Sequence, residues 1–159
     1  MNKIFSLKTL SEIIALFFYS GKCPIAPGTS GSFFTLFLVM LVYPFGLTGI
    51  MTAFMISYLL GLWAVREVLS RSENKDPSYV VIDETAGQLI TFIGVAHLPF
   101  SWMNLVLGFA LFRLFDITKL FPCSYFDKKV HNAFGVMTDD VFAGLYAAIC
   151  LFLINYFIF

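Results

Sequence analysis

An all-α bundle of several helices, integral to a membrane and with its polar loops gathered on one face, is the fold this sequence predicts. Three observations predict it: an excess of apolar residues, apolar segments of helical length, and charges confined to particular loops. Of the 159 residues, 59% are hydrophobic, 13% are charged, and 20 are Phe. Soluble domains carry roughly 45–50% apolar and about 25% charged residues. One soluble domain of this size has too much surface for its volume to hide that much apolar side chain. The residues 1–159 read as a single domain, without low-complexity stretches or long repeats.

In chain order, the spacing predicts helices over about 8–20, 30–43, 47–70, 84–96, 101–118 and 138–159. The first follows Lys3 and Lys8 but lacks an apolar core ending in a small-residue cleavage site. It is expected to be retained as a short helix on or just inside the membrane. The runs from Leu47 to Val65 and from Val141 to Phe159 each approach the ~20 residues that a span requires. Phe33–Tyr43, stopped by Pro44, and Leu89–Ala96, stopped near Pro99, are shorter; they either cross inside the bundle or re-enter.

Charge gives these segments a direction. All ten Lys and Arg lie in the N-terminal segment, in the loops about 21–32, 70–84 and 116–138, or on the helix ends facing them. The turns Tyr43-Pro44-Phe45-Gly46 and His97-Leu98-Pro99-Phe100 carry none, and the ten acidic residues follow the basic ones. Two apolar hairpins then put every charged loop on one side, which the positive-inside rule makes cytoplasmic. Zero net charge gives no sign of nucleic-acid binding. Cys23, Cys123 and Cys150 are odd in number and include no Cys-x-x-Cys pair, so they suggest neither a disulfide framework nor a zinc site.

Four polar clusters meet at the charged face. Pro24-Ile25-Ala26-Pro27-Gly28-Thr29-Ser30-Gly31-Ser32 brings glycines, hydroxyls and a helix start together, which suits an anion. A Pro/Gly turn capped by Thr29 or Ser30 accounts for the segment about as well. Asp83-Glu84-Thr85-Ala86-Gly87 and Asp139-Asp140-Val141-Phe142-Ala143-Gly144 each open a helix, and both contain Asp-x-x-Ala-Gly. Small residues let two helices approach closely in lipid, so the meeting of these faces brings their carboxylates together. Capping explains one acid per helix. Two adjacent acids on each helix repel one another unless a cation lies between them. In the fourth cluster Arg113, Asp116 and Lys119 recur every three residues along one helix face. They form an internal ion-pair ladder, or the basic residues snorkel to the interface, or they make a site in which Asp116 meets a metal while Arg113 and Lys119 grip phosphate. His97 and His131 have no partner at ligand spacing and read as solvated loop residues.

Asp83, Glu84, Asp116, Asp139 and Asp140 thus form an oxygen-only set suited to Mg²⁺, or Mn²⁺, rather than zinc. A phosphomonoester fits the accompanying cations and the Gly28, Thr29, Gly31 and Ser32 loop, with a carboxylate or the metal activating water. No serine or cysteine nucleophile stands beside a base. Cys-x5-Arg is missing after Cys23 and Cys123, and Thr118 stands where an aspartyl-phosphate enzyme has its second Asp. Direct attack by activated water is the expected chemistry.

Pro-Ile-Ala-Pro-Gly-Thr-x-Gly-Ser (24–32), Val-Ile-Asp-Glu-x-x-Gly (81–87), Phe-Arg-x-Phe-Asp-Ile-x-Lys (112–119) and Gly-Val-Met-x-Asp-Asp-x-x-Ala-Gly (135–144) resemble the signature segments of the phosphatidylglycerophosphatase A family in order and spacing. The likeness covers nearly the whole chain. It implies Mg²⁺-dependent hydrolysis of phosphatidylglycerophosphate to phosphatidylglycerol and phosphate at the bacterial inner membrane. The chain departs from the family pattern at Leu120-Phe121-Pro122, where Lys-Pro is usual after Asp-Ile-x, and at Val136, often Ile. Two other classes are weighed against this one. A cation channel or transporter component would place acids at several depths, whereas these cluster at one face. A lipid-head-group transferase would carry the Asp-Gly-x2-Ala-Arg pattern, which is missing.

Overall fold

The computed structural model describes residues 2–72 and 77–158, with side chains from residue 8 onward. The side chain of Lys3, and Glu73, Lys75, Asp76 and Phe159, which enter the expectations above, lie outside that description. The described residues are all-helical and contain no strand. Seven α-helices follow in order: α1 (Asn2–Ala15), α2 (Pro27–Val42), α3 (Gly46–Leu69), α4 (Ile82–Thr91), α5 (Trp102–Thr118), α6 (Cys123–Lys129) and α7 (Ala133–Ile158).

Three helix limits differ from expectation in ways that matter. α1 ends at Ala15, not near residue 20, because Phe17, Phe18 and Tyr19 turn into left-handed backbone with φ of 40°, 53° and 68°. The loop expected over 116–138 contains α6, a short helix with Lys128 and Lys129 in its last turn. α7 starts at Ala133, five residues before the expected 138. Its start is fixed by Asn132, whose Oδ1 accepts the Gly135 N–H at 3.0 Å, as an Asn at a helix start does.

The two uncharged turns meet at one end of the bundle. The Tyr43 hydroxyl donates to the Val95 carbonyl at 2.7 Å, and the Tyr43 ring packs edge-on against Phe100. α2 and α3 therefore form one hairpin and α4 and α5 a second, with α7 packed against α3, α4, α5 and α6. At the opposite end α1 joins the start of α4, where the Val81 N–H donates to the Ala15 carbonyl at 2.9 Å.

α4 and α7 lie closest together. A Cβ on Gly87 would strike the Asp140 carbonyl and the Phe112 ring, and one on Gly144 would strike the Gly87 carbonyl and Ile90. The repeated Asp-x-x-Ala-Gly is the seam between these helices. Around it, Val65, Ile82, Ala86 and Met137 fill the interior toward the charged end, and Val39, Ile50, Leu89, Phe92 and Leu151 fill it toward the far end.

Polar residues are distributed inside out relative to a soluble protein. Ser32, Thr35, Ser57, Thr85, Gln88 and Thr91 are buried, while Phe34, Phe37, Ile56, Leu59, Trp102, Phe152 and Phe157 face outward. Two helical stretches, Pro27–Leu69 and Ala133–Ile158, are long and apolar enough to cross a membrane.

Candidate active site

A cavity of about 290 Å³ opens at the charged end, where α2, α4 and α7 begin and α5 ends. Among the residues proposed from sequence, Gly28, Thr29, Asp83, Glu84, Arg113, Asp116, Lys119, Asp139 and Asp140 line it. Gly31 and Ser32 do not. Gly31 faces Val81, whose side chain a Cβ would strike, so its smallness serves the packing of α2. Ser32 is fully buried behind the wall, where its hydroxyl donates to the Gly28 carbonyl at 2.9 Å and accepts from Arg113 Nη1 at 3.4 Å.

Helix capping does not explain these residues. α2 has Ala26 at its N-cap and Pro27 in its first turn, and no side chain caps it. Thr29 and Ser30 thus lie inside the helix. Its first-turn N–H groups have no intrahelical acceptor, and the Gly28–Thr29 segment that carries them borders the cavity. α4 has no capping side chain at its N-cap, Val81; Asp83 and Glu84 sit within its first turn, where Asp83 Oδ1 accepts the Glu84 N–H at 3.0 Å. Asp139 and Asp140 are further still from a capping position, well inside α7 and only 5% and 4% exposed.

The carboxylates separate into two groups. Asp83, Glu84 and Asp140 each offer an oxygen within 4.8 Å of the others. Burial first, and then the neighbouring Glu84 carboxylate, push Asp83 well above the usual carboxylate range. Glu84 is pushed up to about 8, again chiefly by burial, with Asp140 and Asp116 adding to it and hydrogen bonding to Asp83 and the Arg113 charge opposing it. One buried oxygen of Glu84, Oε2, has no protein partner. Three crowded carboxylates, one with an orphaned oxygen, are a donor set that fits a hard divalent cation, which takes oxygen ligands at about 2.0–2.6 Å.

The remaining acids are paired with cations. Asp116 Oδ2 accepts from Arg113 Nη1 at 2.6 Å, the first rung of the ladder foreseen in the sequence. The second rung is absent. Lys119 ends α5 in left-handed backbone and reaches Asp139 at 2.6 Å and Asp127 at 2.7 Å. Burial opposes the Lys119 charge, but Asp139 and Asp127 outweigh it and hold its pKa above the ordinary lysine value.

Gly28 joins the halves of the site. A Cβ there would collide with Glu84 Oε1 and lie 3.2 Å from Arg113 Nη1. This is the close backbone approach to polar side chains that only glycine permits. Two residues of the region were not singled out from sequence. Asp127 is one; its signal was only an acid before Lys128-Lys129. Gln88 is the other, fully buried one turn beyond Glu84 with neither amide atom bonded to protein. A lone Gln in the first apolar stretch after two acids was the available clue. His131 is exposed, as expected, and stands at the cavity's edge.

Comparison with known proteins identifies the family. The family model described as Phosphatidylglycerophosphatase A matches residues 13–155. The chain is similar to phosphatidylglycerophosphatase A of Haemophilus influenzae, at 37% identity over 97% of this chain and 94% of that protein. It is similar to the protein of the same name from Escherichia coli, at 30% identity over 91% of this chain and 83% of that one. A Bacteroides thetaiotaomicron protein provisionally named phosphatidylinositol-3-phosphatase is 35% identical over 89% of this chain and 91% of its own length. No solved structure matches the chain. With four motifs in register and a family match over most of its length, the chain belongs to the phosphatidylglycerophosphatase A family.

Proposed function

We propose that the chain is a membrane-embedded phosphoric monoester hydrolase that converts phosphatidylglycerophosphate to phosphatidylglycerol and phosphate. The observation that carries this reading is the convergence of Asp83, Glu84 and Asp140 from two helices onto one small volume beside Arg113. Family membership supplies the substrate class. The outward apolar side chains and the two long apolar helices support placement in the bilayer. The clustering of basic residues at the cavity's end supports a cytoplasmic active site in the bacterial inner membrane.

Asp83, Glu84 and Asp140 would hold Mg²⁺, or Mn²⁺, with Asp116 and Asp139 in the surrounding wall. A bound divalent ion supplies positive charge to the phosphoryl oxygens and acidifies water. Arg113 and the first-turn N–H groups of α2 orient the phosphomonoester, the latter with the help of the helix dipole. Lys119, already shared by Asp127 and Asp139, fixes Asp139 more than it grips substrate. A water oxygen forms the new bond to phosphorus while its proton passes to a carboxylate of the cluster. The bond from phosphorus to the glycerol oxygen breaks, and that oxygen takes up the proton from the carboxylate as it leaves.

The test is phosphate release by purified protein from several phospholipid monophosphates, with and without EDTA. The expected result is metal-dependent release, greatest with phosphatidylglycerophosphate. Asp83→Asn, Asp116→Asn and Asp140→Asn should each lower kcat by about a hundredfold or more, with helix content unchanged by circular dichroism. Full turnover by all three variants would remove those carboxylates from the mechanism.

A further inference from the structure

Beside the acidic cavity runs an apolar groove of about 830 Å³ that the catalytic reading leaves without a task. One wall is a single face of α2, where Ser30, Phe34, Leu38 and Leu41 follow at helical spacing. The stretch from Ser30 to Leu41 climbs roughly 16 Å at 1.5 Å per residue. The other wall is the Phe17–Tyr19 turn. Three successive left-handed aromatic residues form an unfavourable backbone, of a kind that gathers at ligand clamps. Hydrogen bonds from the Phe18 N–H to Ile13 and from the Gly21 N–H to Leu16 fasten it, and Phe18 stands 79% exposed.

The groove and the cavity share a wall. Cys23 and Ser30 line the groove, whereas the segment between them, Ala26 to Thr29, lines the cavity. The polar residues of the groove's lining, Ser20, Lys22 and Ser30, belong to or flank the segment that the two share. The Lys22 ammonium lies 4.6 Å over the Tyr19 ring and makes no ion pair with a described acid. An anionic pocket and an apolar groove that carries a cation in its lining therefore adjoin along the 23–30 segment.

A phosphatidyl polyol phosphate has the matching order: a phosphomonoester, a phosphodiester one polyol away, and acyl chains beyond it. The substrates implied by the names of both kinds of relative share that order. We propose that this groove seats an acyl chain of the substrate and that Lys22 receives its phosphodiester while the phosphomonoester occupies the acidic cavity. The assignment rests on the phosphatase reading above. It makes the diester a recognition element that phosphatidate, with its phosphomonoester directly on the diacylglycerol, cannot supply.

The experiment compares full-length protein in detergent micelles on three substrates: dioleoyl and dibutanoyl phosphatidylglycerophosphate, and dioleoyl phosphatidate. Leu38→Trp fills the groove from its half-buried wall. Displacing about two methylenes should raise KM for the dioleoyl substrate roughly tenfold, with kcat nearly constant and the dibutanoyl substrate unaffected. Lys22→Gln should raise KM for both phosphatidylglycerophosphates about threefold and leave phosphatidate where it was. Equal changes on long and short chains with Leu38→Trp, or on diester and phosphatidate with Lys22→Gln, would overturn the assignment. If the unmodified protein releases no phosphate from any substrate, the phosphatase reading itself falls and takes this one with it. Activity without chain or diester selectivity in the variants removes only the groove.

Discussion

Gly28 has Glu84 and Arg113 where a side chain would stand, so the smallest change there reaches both halves of the site. In Gly28→Ala the Glu84 carboxylate or the Arg113 guanidinium must move, and a displacement of about 1 Å at such a centre can cost about a hundredfold in rate. Helix content should be unaltered while kcat falls on that scale; an unchanged kcat would show that Gly28 borders no reacting group. The acids make a second prediction. Glu84 keeps its proton to about 8 in the folded protein against 4.5 unperturbed, and Asp83 is shifted in the same direction. Between those values the metal-free native state binds protons that the unfolded chain has released, so stability falls as pH rises and levels off above about 8. Thermal unfolding in EDTA should show Tm declining across that window, and saturating Mg²⁺ should flatten the decline. A Tm in EDTA that rises over the same window would contradict the crowding of these carboxylates. The acids were legible because adjacent charges opening apolar helices are costly without a task. Asp127 and Gln88 were not, because a single polar residue carries no such signal.

At the scale of elements, the site depends on the α4–α7 seam. Gly87 and Gly144 let the backbones touch, and that contact brings Asp83 and Glu84 to Asp140. Overpacking a closely packed interior costs roughly 1–3 kcal/mol. Gly144→Val should therefore destabilise the fold by about that amount in denaturant titrations and abolish stabilisation by Mg²⁺ at the same time. Retained Mg²⁺ stabilisation would mean that the seam does not hold the cluster together. This seam was readable from the repeated Asp-x-x-Ala-Gly, and the two hairpins from Pro44 and Pro99 and the uncharged turns around them. The start of α7 was not. Asp139-Asp140 before an apolar run imitates a capped helix start, while the true cap, Asn132, lies in a stretch whose own periodicity is weak. α6 escaped for a related reason: seven residues are too few to display a repeat. That Gly31 faces Val81 and not the cavity was invisible, because a loop glycine facing a ligand and a helix glycine facing a valine look alike in sequence.

At the scale of the whole molecule, many large apolar side chains among the described residues point outward while several hydroxyl and amide side chains are buried, and all four signature segments come to one end. Buried threonines bond within the bundle: Thr35 Oγ1 donates to the Gly31 carbonyl at 2.8 Å, and Thr91 Oγ1 to the Gly87 carbonyl at 3.0 Å. Such internal bonding suits the proposed placement in a bilayer, where no water would line the flanks. The gathering of charge at one end was legible because sidedness depends only on which loops carry Lys and Arg. The division of labour within that gathering was not, because Lys119 selects Asp127 and Asp139 through a left-handed turn that no spacing rule reveals. The most direct test of a shared ion site is Mn²⁺ binding to the purified protein, followed by electron paramagnetic resonance of the free ion. Binding should be lost or weakened at least about tenfold in both Asp83→Asn on α4 and Asp140→Asn on α7, and remain in Asp127→Asn. Unchanged Mn²⁺ affinity in either of the first two variants would show that the helices do not hold one cation between them.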